Sequence, residues 1–427
     1  MNIETSKNTT FQFTKINKPE ALTASVIVTS DRLAENSQKT VALGLLYADL
    51  LLSGAGKYSR EDFTHALDLL GSSINVSESG GKVTVTITSL AEKLSKTLAL
   101  LSIMLEKPTF KPSELKRAKQ SISNALEIYK ENARSLASDG LSQSLFKEAD
   151  RRYKNTPEKV IKSLSEITVK DLKSLHTNFM QTYWTVTVGG SEKTIKTASG
   201  VITKLKKNTS LKEKVETIPK INEITKRKVI TKSIPSKQNI ELSIGGHVPL
   251  ALTSKDFPAF LFGLAVLGKW GGFAGRLMST VREKEGLTYG IYAKTEGVSE
   301  NENGIWRIMT FFSPKDVKKG IESTLREITK IQKNGITDSE WKRFKVILET
   351  GDSLIFDSLA GTTAQVHNVT VLGMGWDEYK QSREKLYNCS RSEVNKVLKE
   401  YLDPNKLVIS AAGPIDEVKK DLKSFEK

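Results

Sequence analysis

The sequence is poor in cysteine and contains no long apolar segment. Cys389 is the one cysteine among 427 residues, so an internal disulfide and a metal site made of several thiolates are excluded. No run of roughly 18 apolar residues occurs, so no segment is predicted to span a membrane. Residues 1–8 are mainly polar and charged, unlike a secretory signal. We therefore expect a cytoplasmic protein as written, or a periplasmic one if a leader has been removed.

Motifs for nucleotide binding and for nucleophilic hydrolysis are also missing. The chain has no Gly-Lys-Ser/Thr phosphate loop and no Gly-x-Ser-x-Gly elbow. The glycine-rich segment 268–275 does not meet the dinucleotide spacing in a βαβ pattern, so no dinucleotide site is predicted. The histidines are His65, His176, His247 and His367, and no two of them stand one helical turn apart. A metal site built from paired histidines is therefore not expected.

Acidic residues are outnumbered, with 49 Asp and Glu against 65 Lys and Arg. Residues 204–237 hold eleven of the basic residues against three glutamates, together with Pro219 and Pro235. We interpret this segment as a solvated linker between residues 1–203 and residues 238–427. A basic protein that binds nucleic acid or anionic surfaces is the alternative. The segment contains no interleaved aromatic residue, however, so no nucleic-acid partner is predicted.

The two halves repeat local patterns at nearly constant spacing. The helix-initiating residues 113–119 recur at 339–345, an offset of 226 (339 minus 113). Strands ending at Ser89 and Ser313 are each predicted to be the second arm of a hairpin, and the first hairpin turns at glycines 80–81. The repeats indicate a duplication. We predict an α+β fold of two homologous domains, each a mainly antiparallel sheet covered by helices.

The glycine-rich segment leads into a short helix and a strand. Apolar residues recur at helical spacing in residues 276–282, and Gly286 is placed to end the helix. The alternation in residues 287–293 predicts a strand. Arg282 is therefore expected near a helix C-terminus and Tyr289 on the following strand. An arginine at this position also suits the helix dipole and a strand tyrosine is usually core, so the pattern has a purely structural explanation too.

The run from Gly271 to Ala293 resembles the arginine/tyrosine signature of the insulinase/pitrilysin-type metallopeptidases, the inverzincins. A glycine-rich loop, Arg-Leu-Met and Arg-Glu-Lys-x-Gly-Leu-x-Tyr follow one another in the same order. The resemblance implies a duplicated α+β architecture over most of the chain. It also implies that Tyr289 donates to a developing oxyanion and that Arg282 holds a substrate carbonyl. Gly271 and Gly272 would let the backbone of an extended peptide approach closely, or would simply make the turn.

The zinc motif of the family has no counterpart here. The family carries His-x-x-Glu-His on a helix of its N-terminal half. Leu45, Ala48 and Asp49 occupy the three motif positions, and Glu127 falls near the place of the third ligand. One carboxylate without two histidines is not a zinc site. We therefore expect no metal in this chain, and the resemblance implies zinc in a partner subunit.

Two functions follow from the resemblance. The first is the non-zinc subunit of a heterodimeric zinc metalloendopeptidase, similar to mitochondrial processing peptidase-like proteins. In that case a zinc-binding family homologue is the partner, and Arg282 and Tyr289 contribute to the hydrolysis of peptide substrates. The alternative is a catalytically inactive structural or peptide-binding member. Neither predicts that the chain hydrolyses peptides alone, and a homodimer is possible in isolation.

Overall fold

The structure is a computed structural model that describes residues 2–207, 209, 221–269 and 271–426. Its strands, in chain order, are β1 (Asn2–Lys7), β2 (Phe11–Asn17), β3 (Thr23–Ser30), β4 (Gly54–Ala55), β5 (Tyr58–Ser59), β6 (Ser73–Ser79), β7 (Lys82–Leu90), β8 (Trp184–Gly190), β9 (Lys228–Ser233), β10 (Ile240–Val248), β11 (Ile291–Glu296), β12 (Gly304–Phe312) and β13 (Val408–Gly413).

The α-helices cover more of the chain than the strands do. They are α1 (Gln38–Leu51), α2 (Arg60–Asp68), α3 (Leu94–Glu106), α4 (Pro112–Tyr129), α5 (Ala133–Leu145), α6 (Pro157–Glu166), α7 (Val169–Gln181), α8 (Glu192–Lys206), α9 (Phe257–Gly268), α10 (Val317–Asn334), α11 (Asp338–Ile355), α12 (Leu359–Val371), α13 (Trp376–Asn388), α14 (Arg391–Tyr401) and α15 (Lys419–Lys423). Within the described ranges, none of these helices is both long and apolar enough to cross a membrane.

The chain forms two compact units, each containing one large sheet. Unit 1 consists of Met1–Glu127, Asn155–Ile218 and Ser353–Val371. Unit 2 consists of Ile128–Lys154, Pro219–Asp352 and Leu372–Lys427. The strand order is β1-β2-β8-β3-β7-β6 in unit 1 and β11-β12-β10-β13-β9 in unit 2. Only the pairs β2–β8 and β9–β13 are parallel in these two sheets.

The two sheets correspond strand for strand once β1 is set aside. Unit 1 then has the order β2-β8-β3-β7-β6, and unit 2, counted from its other edge, has β9-β13-β10-β12-β11. Each sheet packs against helices around an apolar core. The predicted α+β fold of two homologous, mainly antiparallel and helix-covered domains is therefore confirmed.

Both predicted hairpins are present. β6 pairs with β7 around Gly80 and Gly81, whose φ angles of 59° and 82° are those that a tight two-residue turn requires. β11 pairs with β12 across a longer loop. Along β7 the side chains of Val83, Val85 and Ile87 are buried and alternate with more exposed threonines, as expected for a strand with one face on the core.

One helix of each sequence half packs on the sheet of the other half. α5 lies on β9, β10 and β13, and α12 lies on β3 and β8. The two helices begin 226 residues apart (359 minus 133), the same offset as the repeated helix starts. Small residues permit close approach: a Cβ at Gly189 of β8 would lie 2.2 Å from Thr363 Oγ1, and one at Gly140 of α5 would lie 2.5 Å from Ser410 Oγ.

Part of the predicted linker, residues 204–237, is ordered secondary structure. Lys206 is buried at the end of α8, and residues 228–233 form β9 beside β13. Arg227 is also buried, and it donates to the carbonyl oxygen of Pro404. Residues 208 and 210–220 lie outside the described residues. The linear boundaries 1–203 and 238–427 stay a prediction. Each compact unit contains one helix from the other half of the sequence.

Candidate functional site

Arg282 lies in the last turn of a π-helical segment, Met278–Lys284. The wide turn is marked by the bond from the Glu285 N–H to the Thr280 carbonyl, five residues back. Gly286 follows with a φ of 64° and ends the segment. The predicted helix and its glycine stop are therefore present, with π rather than α geometry.

Tyr289 lies in the loop before β11, not on the strand as the alternation predicted. The strand begins at Ile291. Upstream of it, Thr288 Oγ1 accepts from the Gly290 N–H at 3.3 Å and donates to the Gly290 carbonyl oxygen at 3.2 Å. These local side-chain bonds replace the ladder bonds of a strand. Tyr289 is consequently 78% exposed instead of packing in the core.

The Arg282 guanidinium contacts two exposed aromatic rings. Its Cζ lies 5.2 Å from the ring centroid of Tyr289 and 4.9 Å from that of Phe273. Both distances are within the range of cation–π attraction. The structure thus brings together the two residues singled out in the sequence and adds Phe273, which is 63% exposed. The sequence signal for Phe273 was only its place in the glycine-rich segment.

The polar ends of this pair have no protein partner in the described part of the chain. There the Arg282 guanidinium makes no hydrogen bond or ion pair, and the Tyr289 hydroxyl makes no hydrogen bond. A guanidinium donates only in its own plane, so contacts with ring faces leave its N–H groups open to an acceptor. The pair therefore presents several donors to solvent in a fixed position.

The glycine-rich loop beside the pair is held by α11. Arg343 of this helix donates from Nη2 to the Ala274 carbonyl oxygen at 2.7 Å. Gly271 has a φ of 69°, and no atom lies within 4 Å of a Cβ placed on it. Backbone conformation rather than space therefore favours glycine at this position. At Gly272 an added Cβ would meet only ordinary contacts, 3.6 Å or longer.

The three positions of the zinc motif lie on α1, and an arginine-rich cluster surrounds the last of them. Leu45 and Ala48 are half-buried and offer no metal-binding atom. Asp49 Oδ2 accepts from Arg60 Nη2 and from Arg117 Nη2, each at 2.9 Å. The side chain at the position of the second motif histidine is thus bound by two cations.

A second carboxylate closes this cluster. Glu114 Oε2 accepts from Arg60 Nε at 2.9 Å and from Arg117 Nε at 3.2 Å. We call Asp49, Arg60, Glu114 and Arg117 the ion-pair ring. Burial acts to raise the pKa of Glu114, but the hydrogen bonds from the two arginines hold it below its ordinary value. The ring connects α1, α2 and α4.

A zinc ion does not fit these residues. Leu45 and Ala48 have no side-chain atom that binds a metal. The Asp49 carboxylate is bound by guanidinium groups that would repel a divalent cation. Glu127, near the place of the third ligand, is exposed on α4. Across the described ranges, no group of three or more His, Cys, Asp or Glu side chains is placed to hold a metal ion.

Two of the histidines make hydrogen bonds within unit 1. His176 is half-buried on α7, and both of its ring nitrogens have a hydrogen-bond partner. Its Nδ1 lies 2.9 Å from the Tyr47 hydroxyl and its Nε2 lies 2.9 Å from the Leu105 carbonyl oxygen. His367 is buried, with Nε2 at 2.7 Å from Thr29 Oγ1. Both therefore stabilise the packing of unit 1.

Comparison with known proteins agrees with the duplicated fold. Residues 31–155 match the family model described as Insulinase (Peptidase family M16). Residues 166–348, which include Arg282 and Tyr289, match the model described as Peptidase M16 inactive domain. The chain belongs to the insulinase family, peptidase family M16.

Individual relatives are distant in sequence and similar over their whole length. The chain is 22% identical over 380 residues to Non-peptidase homolog YmxG of Helicobacter pylori, covering 88% of this chain and 85% of that protein. A solved peptidase M16 inactive domain from Pseudomonas fluorescens has a TM-score of 0.84 at 20% identity, covering 97% and 98% of the two chains. A protease from Helicobacter pylori has a TM-score of 0.79 at 16% identity, covering 96% and 99%. The two structures establish similarity of fold.

Proposed function

We propose that the chain is a catalytically inactive, peptide-binding member of the insulinase family in which Arg282 and Tyr289 hold the backbone of an extended peptide. The observation that carries the proposal is the exposed contact between these side chains, whose donors have no partner in the described residues. The guanidinium donates to a peptide carbonyl, and the tyrosine hydroxyl either donates or accepts. Gly271 and Gly272 let the peptide backbone approach closely.

The ion-pair ring supports the absence of hydrolysis by this chain alone. Metallopeptidases activate water on a metal, and the ring places two guanidinium groups where that metal would be coordinated. The matched inactive domain and the name of the Helicobacter pylori relative favour the same interpretation. A role in binding or holding peptides is therefore preferred to a role in chemistry.

A second candidate is the non-zinc subunit of a heterodimeric zinc metalloendopeptidase, and the same exposed pair favours it. A zinc-binding homologue would then activate the attacking water. Tyr289 would donate to the oxyanion as charge develops there, and Arg282 would position the substrate carbonyl. Loss of such an oxyanion donor costs about 10²-fold or more in turnover. The duplicated halves, residues 1–203 and 238–427 with the linker 204–237, would retain the domain plan of a complete peptidase.

Peptide binding by the full-length chain tests the proposal. The probe is a fluorescein-labelled, unstructured decapeptide without charged side chains and with both ends blocked, and fluorescence anisotropy gives its Kd. Arg282→Gln is expected to weaken binding about tenfold and Tyr289→Phe somewhat less, because each removes hydrogen-bonding capacity from an otherwise retained surface. Arg391→Gln, at an exposed arginine that begins α14 in the same unit, is the matched control and leaves Kd unchanged.

The outcomes separate the two candidates. Peptide binding that depends on Arg282 and Tyr289, with no turnover when zinc-binding family homologues from the same source are added, supports the inactive peptide-binding protein. Turnover that appears only in such a mixture and falls with Tyr289→Phe supports the second candidate. Peptide binding that is unchanged by Arg282→Gln and by Tyr289→Phe contradicts both candidate functions.

A further inference from the structure

Three cationic residues lie on or beside the glycine-rich loop, of which the structure describes residues 269 and 271–275. Arg282 lies over Phe273, and Arg343 donates to Ala274. Lys269 begins the loop and packs beside its own glycines, because a Cβ at Gly272 would lie 3.8 Å from Lys269 Cδ. Arg282 and Arg343 thus approach two adjacent residues of one short segment of unit 2, whereas the Lys269 Nζ lies 3.9 Å from a Cβ placed on Gly351 of α11.

None of these three cations has an ion-pair partner among the residues that the structure describes. This is not a general property of the region, since neighbouring arginines are paired. Arg276 donates to Glu340, with Nε at 2.5 Å from Oε1, and Arg326 donates to Glu285. Acidic side chains therefore neutralise the arginines around the loop but not those that touch it.

We propose that this loop binds the carboxylate of an extended peptide, with Phe273 forming the apolar wall of the site. The proposal rests on the proposed function and deepens it by naming the ligand: a peptide that presents an acidic group beside the segment held by Arg282 and Tyr289. A guanidinium pairs with a carboxylate through two parallel N–H···O bonds in its own plane, the direction that ring contacts leave open.

Phe273 has two functions in this site. Its ring lies 4.9 Å from the Arg282 Cζ and attracts the guanidinium to the loop, and the exposed remainder of the ring offers apolar surface to a peptide side chain. Arg343 donates one N–H to the Ala274 carbonyl oxygen, and its other N–H groups are able to donate to an anion. Phe273 is therefore both a positioning residue and a contact residue.

The charge arrangement also determines how binding responds to salt. Arg282 and Arg343, which have no ion-pair partner among the described residues, attract an anionic peptide before it makes contact. Salt screens this attraction, with a screening length of about 10 Å at 0.1 M. The carboxylate has two possible sources, the C-terminus of the peptide or an Asp or Glu side chain. The chemistry at the loop is the same for both, and matched peptides distinguish them.

The experiment compares three labelled decapeptides of one sequence on the full-length chain. The first has a Gln at one position and a blocked C-terminus, the second replaces that Gln with Glu, and the third keeps the Gln and frees the C-terminal carboxylate. We expect at least one carboxylate-bearing peptide to bind about tenfold or more tightly than the neutral one. Raising the salt concentration should reduce this gain.

Substitutions assign the gain to the loop. Arg343→Gln and Phe273→Leu should each remove most of the preference for carboxylate, whereas Phe273→Tyr, which keeps the ring, should retain it. Arg391→Gln is the control and should retain it fully. Phe273 and Arg343 are exposed, so these variants are expected to fold.

A preference for the Glu peptide or for the free C-terminus supports the inference and identifies the source of the carboxylate. Equal affinity for all three peptides, with the dependence on Arg282 retained, overturns it and leaves the proposed function standing. No binding of any peptide contradicts the proposed function and the inference together. A preference for carboxylate that survives both Arg343→Gln and Phe273→Leu places the anion elsewhere and also overturns the inference.

Discussion

Arg117 donates to the carboxylate of Asp49 at 2.9 Å although 68 residues separate them in the chain. The resemblance aligns Asp49 with the second histidine of the family's zinc motif, and here the Asp49 carboxylate is bound by a cation. Arg60 approaches the same oxygen from α2. Ion pairs thus join α1, α2 and α4 around Asp49.

The ion-pair ring should contribute modestly and cooperatively to stability. Asp49→Asn and Glu114→Gln are each expected to lower the free energy of unfolding by about 1 kcal/mol or less, because the four side chains are partly exposed. Since both carboxylates bind the same two arginines, the double variant should differ from the sum of the single ones. Urea denaturation at pH 7 measures this. Asp377→Asn, in an exposed ion pair, is the control, and strict additivity would contradict the ring.

Restoring the zinc motif alone should not restore zinc binding. The triple variant Leu45→His, Ala48→Glu and Asp49→His retains Arg60 and Arg117, whose charges oppose a divalent cation. Adding Arg60→Gln and Arg117→Gln should raise zinc affinity about tenfold or more, measured by competition with a chromogenic chelator. Adding Arg391→Gln instead is the control. Equal zinc affinity with and without the two arginines would contradict this account.

His367 should make unit 1 sensitive to acid. Its ring lies between Thr29 and Thr187, and burial lowers its pKa from 6.5 to about 3. Between these values the unfolded chain binds a proton that the folded chain does not, so stability falls as pH drops below 6.5. Relative to His367→Gln, the natural chain should lose about 2–3 kcal/mol between pH 6.5 and 4.5.

The measurement for His367 is urea denaturation at several pH values. His65→Gln, at an exposed histidine of the same unit, is the control and should follow the natural chain. Parallel stability profiles for the natural chain and His367→Gln would contradict the prediction, because they would mean that His367 has the same pKa in the folded and the unfolded chain.

Lys206 should also make stability rise with pH, in this case in the alkaline range. Its Nζ donates to the carbonyl oxygens of Met180 and Thr182 and lies 4.6 Å from the Trp184 ring centroid, while burial lowers its pKa from 10.5 to about 8. The penalty for burying the charge is complete below pH 8 and is relieved as pH rises toward 10.5. The natural chain should gain about 2–3 kcal/mol between pH 8 and 10 relative to Lys206→Met.

Lys193→Met, at an exposed position of α8, is the control for Lys206. Guanidinium chloride denaturation at pH 8, 9 and 10 gives the required differences. If the stability of Lys206→Met changes with pH as that of the natural chain does, the buried amine titrates near its ordinary value.

Local patterns in the sequence correctly predicted a tight turn and two helix starts, because neighbouring residues determine these features. The glycine pair at residues 80–81 makes the turn of β6 and β7, and residues 113–119 and 339–345 lie in the first turns of α4 and α11. The start of β11 was placed too early because the alternation does not reveal that Thr288 bonds to Gly290.

Contacts between distant residues were not predictable in the same way. Helical periodicity shows which face is apolar but not which sheet it covers, so the positions of α5 and α12 could not be derived. The approach of Phe273 to Arg282 and of Arg117 to Asp49 likewise depends on tertiary structure. The resemblance to the family indicates Arg282 and Tyr289 as a pair. The exposure of Tyr289 depends on the loop before β11, which the sequence pattern does not predict.

The exchange of α5 and α12 makes the two halves of the polypeptide mutually dependent. A fragment ending at residue 203 would retain α5 without β10 and β13, and its strands β3 and β8 would lose the cover of α12. Each product of such a cleavage would expose apolar surface and be prone to aggregate. A split gene for this protein should therefore yield soluble material only when both pieces are synthesised together.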